Sequence, residues 1–159
     1  MTRASIAIAH RVIDSLWHRN EPWPAEVAPN APLHLQGRAL DRQQFHQVAV
    51  SDLQSALPDL RMRIRDTLSE PATQHSQREE TEVVALRMSC DGTHTGVLFG
   101  VPASGENVSF NVLMWLRIQD TQVTAVQLYW NQFAAREALV AARQRAAATT
   151  ASRAHPGVP

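Results

Sequence analysis

Few side chains in this sequence are spaced for chemistry, and each can be weighed singly. His94 sits in the turn Gly92-Thr93-His94-Thr95-Gly96, where an imidazole can bond to its own loop or serve as a base at the mouth of a pocket. Arg87 stands beside Ser89 in an alternating stretch. It can hold a substrate carbonyl or carboxylate, or pair with Glu82 or another acid. Asn131 closes an apolar run after Trp130; its amide can donate to an oxyanion but cannot be a general base, and it can equally cap a following helix. His94, Arg87 and Asn131 are the candidate catalytic residues. His10, Asp14 and His18 recur at four-residue spacing, which can hold a metal, but no fourth ligand is in sight and Arg11 and Arg19 stand nearby, so no metal site is expected. His46 and Tyr129 can each donate a proton, although no spacing singles them out. No Gly-rich phosphate loop, nucleophile elbow, Cys-His pairing or zinc spacing occurs, and hydrolase, kinase and nucleotide-dependent readings fall away.

Composition narrows the partners. The chain has 159 residues and 44% apolar content, enough for one domain that buries roughly 70% of its unfolded surface. A single domain over residues 1–148 and a disordered tail over 149–159 are expected. All 15 basic residues are Arg and are matched by 15 acids. With no net positive field, neither nucleic acid nor an anionic membrane is an expected partner. The one cysteine, Cys90, suits a reducing compartment, and the apolar run Ala4 to Ala9 is too short for a membrane span or a signal peptide, so the cytoplasm is the expected location.

The elements that must position these residues read as helix, loop, helix, four strands, helix, tail. Ile6, Ala9, Ile13, Leu16 and Trp17 fall at helical spacing, predicting an amphipathic helix over residues 5–19. Four prolines between Asn20 and Leu33 force an extended connection with Trp23 tucked beneath it. Asp41 is a plausible N-cap for a second helix to about Ala56, with Phe45, Val48, Ala49, Leu53 and Leu57 on one side. From Leu60 the period becomes two: Leu60, Met62 and Ile64 alternate with Arg61, Arg63 and Arg65. Those arginines form either an anion-binding stripe or a solvated face paired with Glu79, Glu80 and Glu82 of the next strand, and the second is favoured. Ser69 to Arg78 is polar and should be a mobile loop.

Two long strands follow, Val108 to Ile118 and Thr121 to Trp130, turning near Asp120. Val108, Phe110, Val112, Met114, Leu116 and Ile118 share one face of the first, and Val126, Leu128 and Trp130 share one face of the second. Paired as a hairpin, they form one apolar wall. The opposite face carries Leu113, Trp115 and Tyr129 among polar residues, too apolar for free solvent, and is a candidate homodimer surface. An Ala-rich helix from Phe133 to about Ala147 completes the order.

Leu57-Pro58-Asp59-Leu60, the Gly92 to Gly96 turn, the Gly100-Val101-Pro102 step, Gly105, Leu116-Arg117-Ile118 and Trp130-Asn131-Gln132 together resemble the SnoaL-like polyketide cyclases of the nuclear-transport-factor-2-like superfamily, over roughly Ser5 to Ala142. The resemblance implies an α+β fold in which a curved antiparallel sheet wraps helices into a cone with a deep apolar pocket, a cystatin-like α+β barrel, usually homodimeric. It also implies cofactor-independent ring closure on a reactive small molecule, often polyketide-derived. In such relatives an Asp on the final strand and a His on its neighbour move the protons. Here those positions fall on Leu128 and Met114, and Asn131 stands where many relatives have Asp.

A Met and a Leu supply only shape, whereas an aldol closure needs a base and an enolate donor. Holding an already reactive chain in its folded conformer can by itself lower a barrier by up to about 7–11 kcal/mol. The expectation is therefore a cyclase that templates cycloaddition or conjugate addition of an apolar small-molecule substrate. Its expected lining is Trp17, Phe45, Phe110, Val112, Met114, Val126, Leu128 and Trp130. The alternative is a binding or assembly module on the same fold, with catalysis lost. A hydratase or a hydroxylation partner sits between the two.

Overall fold

Apolar residues three and four apart drive the first helix. In this computed structural model, which describes residues 3–19, 21, 23–71 and 81–154, α1 (Arg3–Ile13) buries Ile8, Ala9, Val12 and Ile13. It continues through a π-helical stretch, Asp14–His18, that buries Leu16 and Trp17. The second helical segment is also interrupted: α2 (Arg42–His46) passes through a π-helical stretch, Gln47–Ser51, into α3 (Asp52–Ala56). Asp41 caps it as expected. Its carboxylate accepts the Gln44 N–H at 2.8 Å while the Gln44 side chain accepts the Asp41 N–H, a full capping box. The two π-helical stretches meet where Trp17 Nε1–H donates to the Ala49 carbonyl at 2.9 Å.

Six strands form one curved sheet in the order β2-β1-β6-β5-β4-β3. They are β1 (Leu33–Leu35), β2 (Arg38–Leu40), β3 (Arg61–Pro71), β4 (Thr81–Thr93), β5 (Asn107–Gln119) and β6 (Gln122–Trp130). Pairing is antiparallel except between β1 and β6, which run parallel. The four long strands match expectation, whereas β1 and β2 do not appear in the sequence pattern because three residues are too few to show a period. Their hairpin turns through Gln36 and Gly37, both at positive φ, the geometry of a two-residue primed turn.

Burial alternates without a break along β5. The even-numbered residues from Val108 to Ile118 face inward, and the odd-numbered residues from Ser109 to Arg117 face outward. A bulge in β6 opposite the Arg117/Ile118 step turns both Val123 and Val126 inward. A second bulge in β3, at Arg65, re-aims the arginines. Arg63 and Arg65 reach Asp91 on β4 at 3.7 and 4.0 Å, and Arg65 also donates to Ser89 Oγ. The solvated, acid-paired reading of this stripe is therefore right in kind, but the acid is Asp91. Glu82 instead accepts from Ser5 at the start of α1, and Glu79 and Glu80 lie outside the described residues.

Two boundaries are corrected. Of the expected Ser69–Arg78 loop, Ser69 to Pro71 belong to β3 instead, and 72–80 lie outside the described residues. The expected tail from Thr149 is helical at least to Arg153, because α4 (Gln132–Arg153) runs through it. Alanine-rich sequence favours this helix, and the Thr149 and Thr150 hydroxyls donate to the Arg145 and Ala146 carbonyls one turn back. Residues 155–159 lie outside the described residues.

Candidate functional site

The site is built on the inner face of β5 and β6. Their register sets Met114 opposite Leu128, Val112 opposite Trp130 and Leu116 opposite Val126, so Leu128 rather than Gln127 or Tyr129 points inward. Val112, Met114, Val126 and Leu128 have no measurable exposure. No water-sized space therefore lies beside them, and the deep pocket expected here is closed. The reason lies in the helix layer. Trp17 is fixed by its bond to Ala49, Phe45 stacks at 5.5 Å on Trp23, and both are buried within the packing that fills the cone.

Exposure of the wall is greatest at one end, at Phe110, Trp130 and Val108. There a two-residue hairpin, Leu98 to Val101, lays the Phe99 ring against Phe110 and Trp130, with centroids 5.9 and 5.8 Å away. The hairpin is closed by reciprocal bonds between Leu98 and Val101 at 3.0 and 2.8 Å. Phe99 takes a φ of 49°, a conformation that a bulky side chain seldom adopts and that costs on the order of 1–3 kcal/mol. Sequence reading missed Phe99, although a residue paired with Gly100 between Leu98 and Val101 is the signature of a primed turn.

Polar atoms around this end are few. Among the described residues the buried Trp130 indole N–H has no partner, nor have His94 Nε2 and His46 Nε2. An unmet buried donor or acceptor costs about 1–3 kcal/mol. His46 Nδ1 lies 3.3 Å from Ser51 Oγ, five residues on, across the π-helical stretch. His94 is fully buried, and its Nδ1 meets Ser104 Oγ at 3.2 Å. Its carbonyl accepts from Ser104 and Gly105, and its N–H donates to Glu106. Of the two roles open to it, His94 thus takes the loop-bonding one at Nδ1. The flanking glycines let this loop press on α3: a Cβ at Gly92 would lie 2.9 Å from Leu57 Cβ, and one at Gly96 would lie 2.9 Å from the Ser55 carbonyl oxygen.

The other candidate catalytic residues do not converge with His94. Arg87 lies on the outer face, exposed and ion-paired with Asp66 at 2.6 Å rather than with Glu82. That removes it from the apolar wall. Asn131 is exposed, and its Oδ1 accepts the Ala134 N–H at 3.0 Å as the N-cap of α4. His18 Nδ1 faces Asp14 at 3.3 Å, its Nε2 accepts the Met62 N–H, and Arg19 pairs with Asp14 at 2.7 Å. Both ring nitrogens are engaged, and no cluster of three metal-ligating side chains occurs among the described residues. Cys90 is buried, and desolvation, with Asp91 adding to it, pushes its thiol up to about 12, so it stays protonated and unreactive.

A family model for the SnoaL-like polyketide cyclases matches residues 7–139. The chain belongs to this family. Solved structures of the same fold include TsrD of Streptomyces laurentii, with a TM-score of 0.67 and 17% identity over 87% of this chain and 97% of that one. IdmH of Streptomyces antibioticus, described as a candidate polyketide cyclase, gives 0.62 and 19% identity over 89% and 98%. AclR of Streptomyces galilaeus, described as a candidate hydroxylase, gives 0.63 and 19% identity over 82% and 91%. No curated protein matches the sequence. No helix among the described residues is long and apolar enough to cross a membrane.

Proposed function

We propose that this SnoaL-like protein closes a ring on a reactive, apolar intermediate of polyketide-type metabolism by holding it in its folded conformer rather than by acid–base chemistry. The observation that carries this reading is the Met114–Leu128 pair. Two fully buried apolar side chains stand side by side at the centre of the wall, so no proton can be exchanged there. Ordering a flexible chain supplies several kcal/mol without a titrating group. The substrate enters beneath Phe99, against Phe110 and Trp130, and the Trp130 N–H, unpaired among the described residues, offers its oxygen a donor. No cofactor is invoked.

The test is conversion of the linear precursor that accumulates when the gene is deleted, followed from acidic to basic pH. A flat profile is expected, with loss of turnover in Phe99→Gly, which keeps the positive-φ turn but removes the ring over the substrate. A bell-shaped profile, or normal turnover in Phe99→Gly, would refute templating. A second reading, a non-catalytic binding or assembly module, is favoured by the closed wall. It takes over if the precursor binds unchanged. We further propose a homodimer formed by the outer sheet face around Leu113, Trp115 and Tyr129, and a cytoplasmic setting consistent with the single reduced cysteine.

A further inference from the structure

Beside the Phe99 hairpin runs a second concavity, between that hairpin and α4. It is an open groove of about 460 Å³, lined by Gly100, Val101 and Pro102 on one side and by Arg136, Val140, Arg143, Gln144 and Ala147 on the other, with both arginines exposed. The helical residues fall at intervals of three, four and seven, so they share one face of α4. Arg136 and Arg143 stand two turns apart, about 10.5 Å along the axis, with Val140 between them.

The charge of this groove is unbalanced. α4 carries Arg136, Arg143, Arg145 and Arg153 but a single acid, Glu137, in a chain whose formal charge is zero. Elsewhere Arg11, Arg19, Arg63, Arg65 and Arg87 are each within ion-pair distance of a carboxylate, whereas Arg38, Arg42, Arg61 and Arg117 stand singly, without a second arginine in a shared groove. None of the α4 arginines has such a partner among the described residues. Two unpaired guanidiniums beside an apolar strip suit an anion attached to an apolar body, since a guanidinium binds a carboxylate through two parallel N–H···O bonds. The groove begins at Gly100, the residue after Phe99. That places the groove beside the aromatic end of the inner wall, where Phe99 packs on Phe110 and Trp130.

We propose that Arg136 and Arg143 form an anion subsite that holds a carboxylate of the substrate, while the apolar remainder lies under Phe99 against Phe110 and Trp130. This rests on the ring-closing reading of the inner wall and adds the substrate class: an apolar carboxylic acid rather than a neutral hydrocarbon or ester. It also gives the reaction a direction, with the charged end kept outside the wall and the reacting chain inside.

The probes are 1-naphthylacetate and its methyl ester, titrated against the whole chain by tryptophan fluorescence at low and high salt. The wild type is expected to bind the acid about tenfold more tightly than the ester, equivalent to 1.4 kcal/mol, and to lose most of that preference in high salt. Arg136→Gln/Arg143→Gln should bind both probes alike while keeping the wild-type affinity for the ester. Neither arginine has a partner among the described residues, so the double variant should retain its fold; the ester affinity reports this directly. Equal binding of acid and ester by the wild type, or a preference that survives in the double variant, overturns the anion subsite and leaves the apolar wall standing. Failure of both probes to bind overturns the subsite and the reading of the wall together.

Discussion

At the scale of single residues, Asp59 holds together the end of the helical layer and the end of β4. Its two carboxylate oxygens accept the Thr93 N–H and the Thr93 hydroxyl, each at 2.7 Å. Those bonds, the backbone one first, hold the Asp59 carboxyl below its ordinary value. The unfolded chain releases this proton only near pH 3.9, so the contribution to stability is complete above that value. It is lost as pH falls through the lower, folded pKa. Asp59→Asn should therefore be less stable than wild type at pH 7, with the gap narrowing toward pH 3. Urea unfolding midpoints at the two pH values measure it, and an equal gap at both would show that the carboxylate charge is not what matters. Met114 and Leu128 make the complementary point. They are legible as apolar in sequence, but only the register shows that they stand side by side.

At the scale of elements, the period-two strands were readable because each has one buried and one exposed face. Helix boundaries followed from Asp41, whose capping box is local in sequence, while the α4 end was missed because its last turns bury nothing and so leave no stripe to read. The candidate site was less legible. Arg87 and His94 have the chemistry of site residues, but their partners Asp66 and Ser104 are set by the β3 bulge and a loop fold that no spacing reveals. Turns carry their own test. The β5–β6 hairpin turns through Asp120 and Thr121, both at positive φ, and Thr121 at 67° is β-branched. Such a residue pays about 1–2 kcal/mol there. Thr121→Gly should stabilise the protein by about 1 kcal/mol in urea unfolding, and an unchanged midpoint would show that the strain is absent.

At the scale of the whole molecule, the two faces of one sheet have separate tasks. The inner face is sealed by the helices. The outer face exposes Leu113 and Trp115 at 40% each, sets Trp115 edge-on to Tyr129 at 5.8 Å and hollows into a concavity of about 580 Å³. Aromatic groups left half in water favour association. Sedimentation of the wild type should give a dimer and of Trp115→Glu a monomer with unchanged circular dichroism. A wild type that remains monomeric at high concentration would remove this interface.

The parallel pairing of β1 with β6 has a consequence for how the protein is made. Gln36 on the β1–β2 turn clasps the backbone of Trp130, 94 residues away, through both ends of its amide. On the ribosome, the strand synthesised first must wait for the strand synthesised last, with Leu33 and Leu35 uncovered throughout. Folding of the nascent chain therefore finishes at its beginning, and a ribosome stalled before Trp130 would hold a chain with two leucines and an open sheet edge for a chaperone to shield.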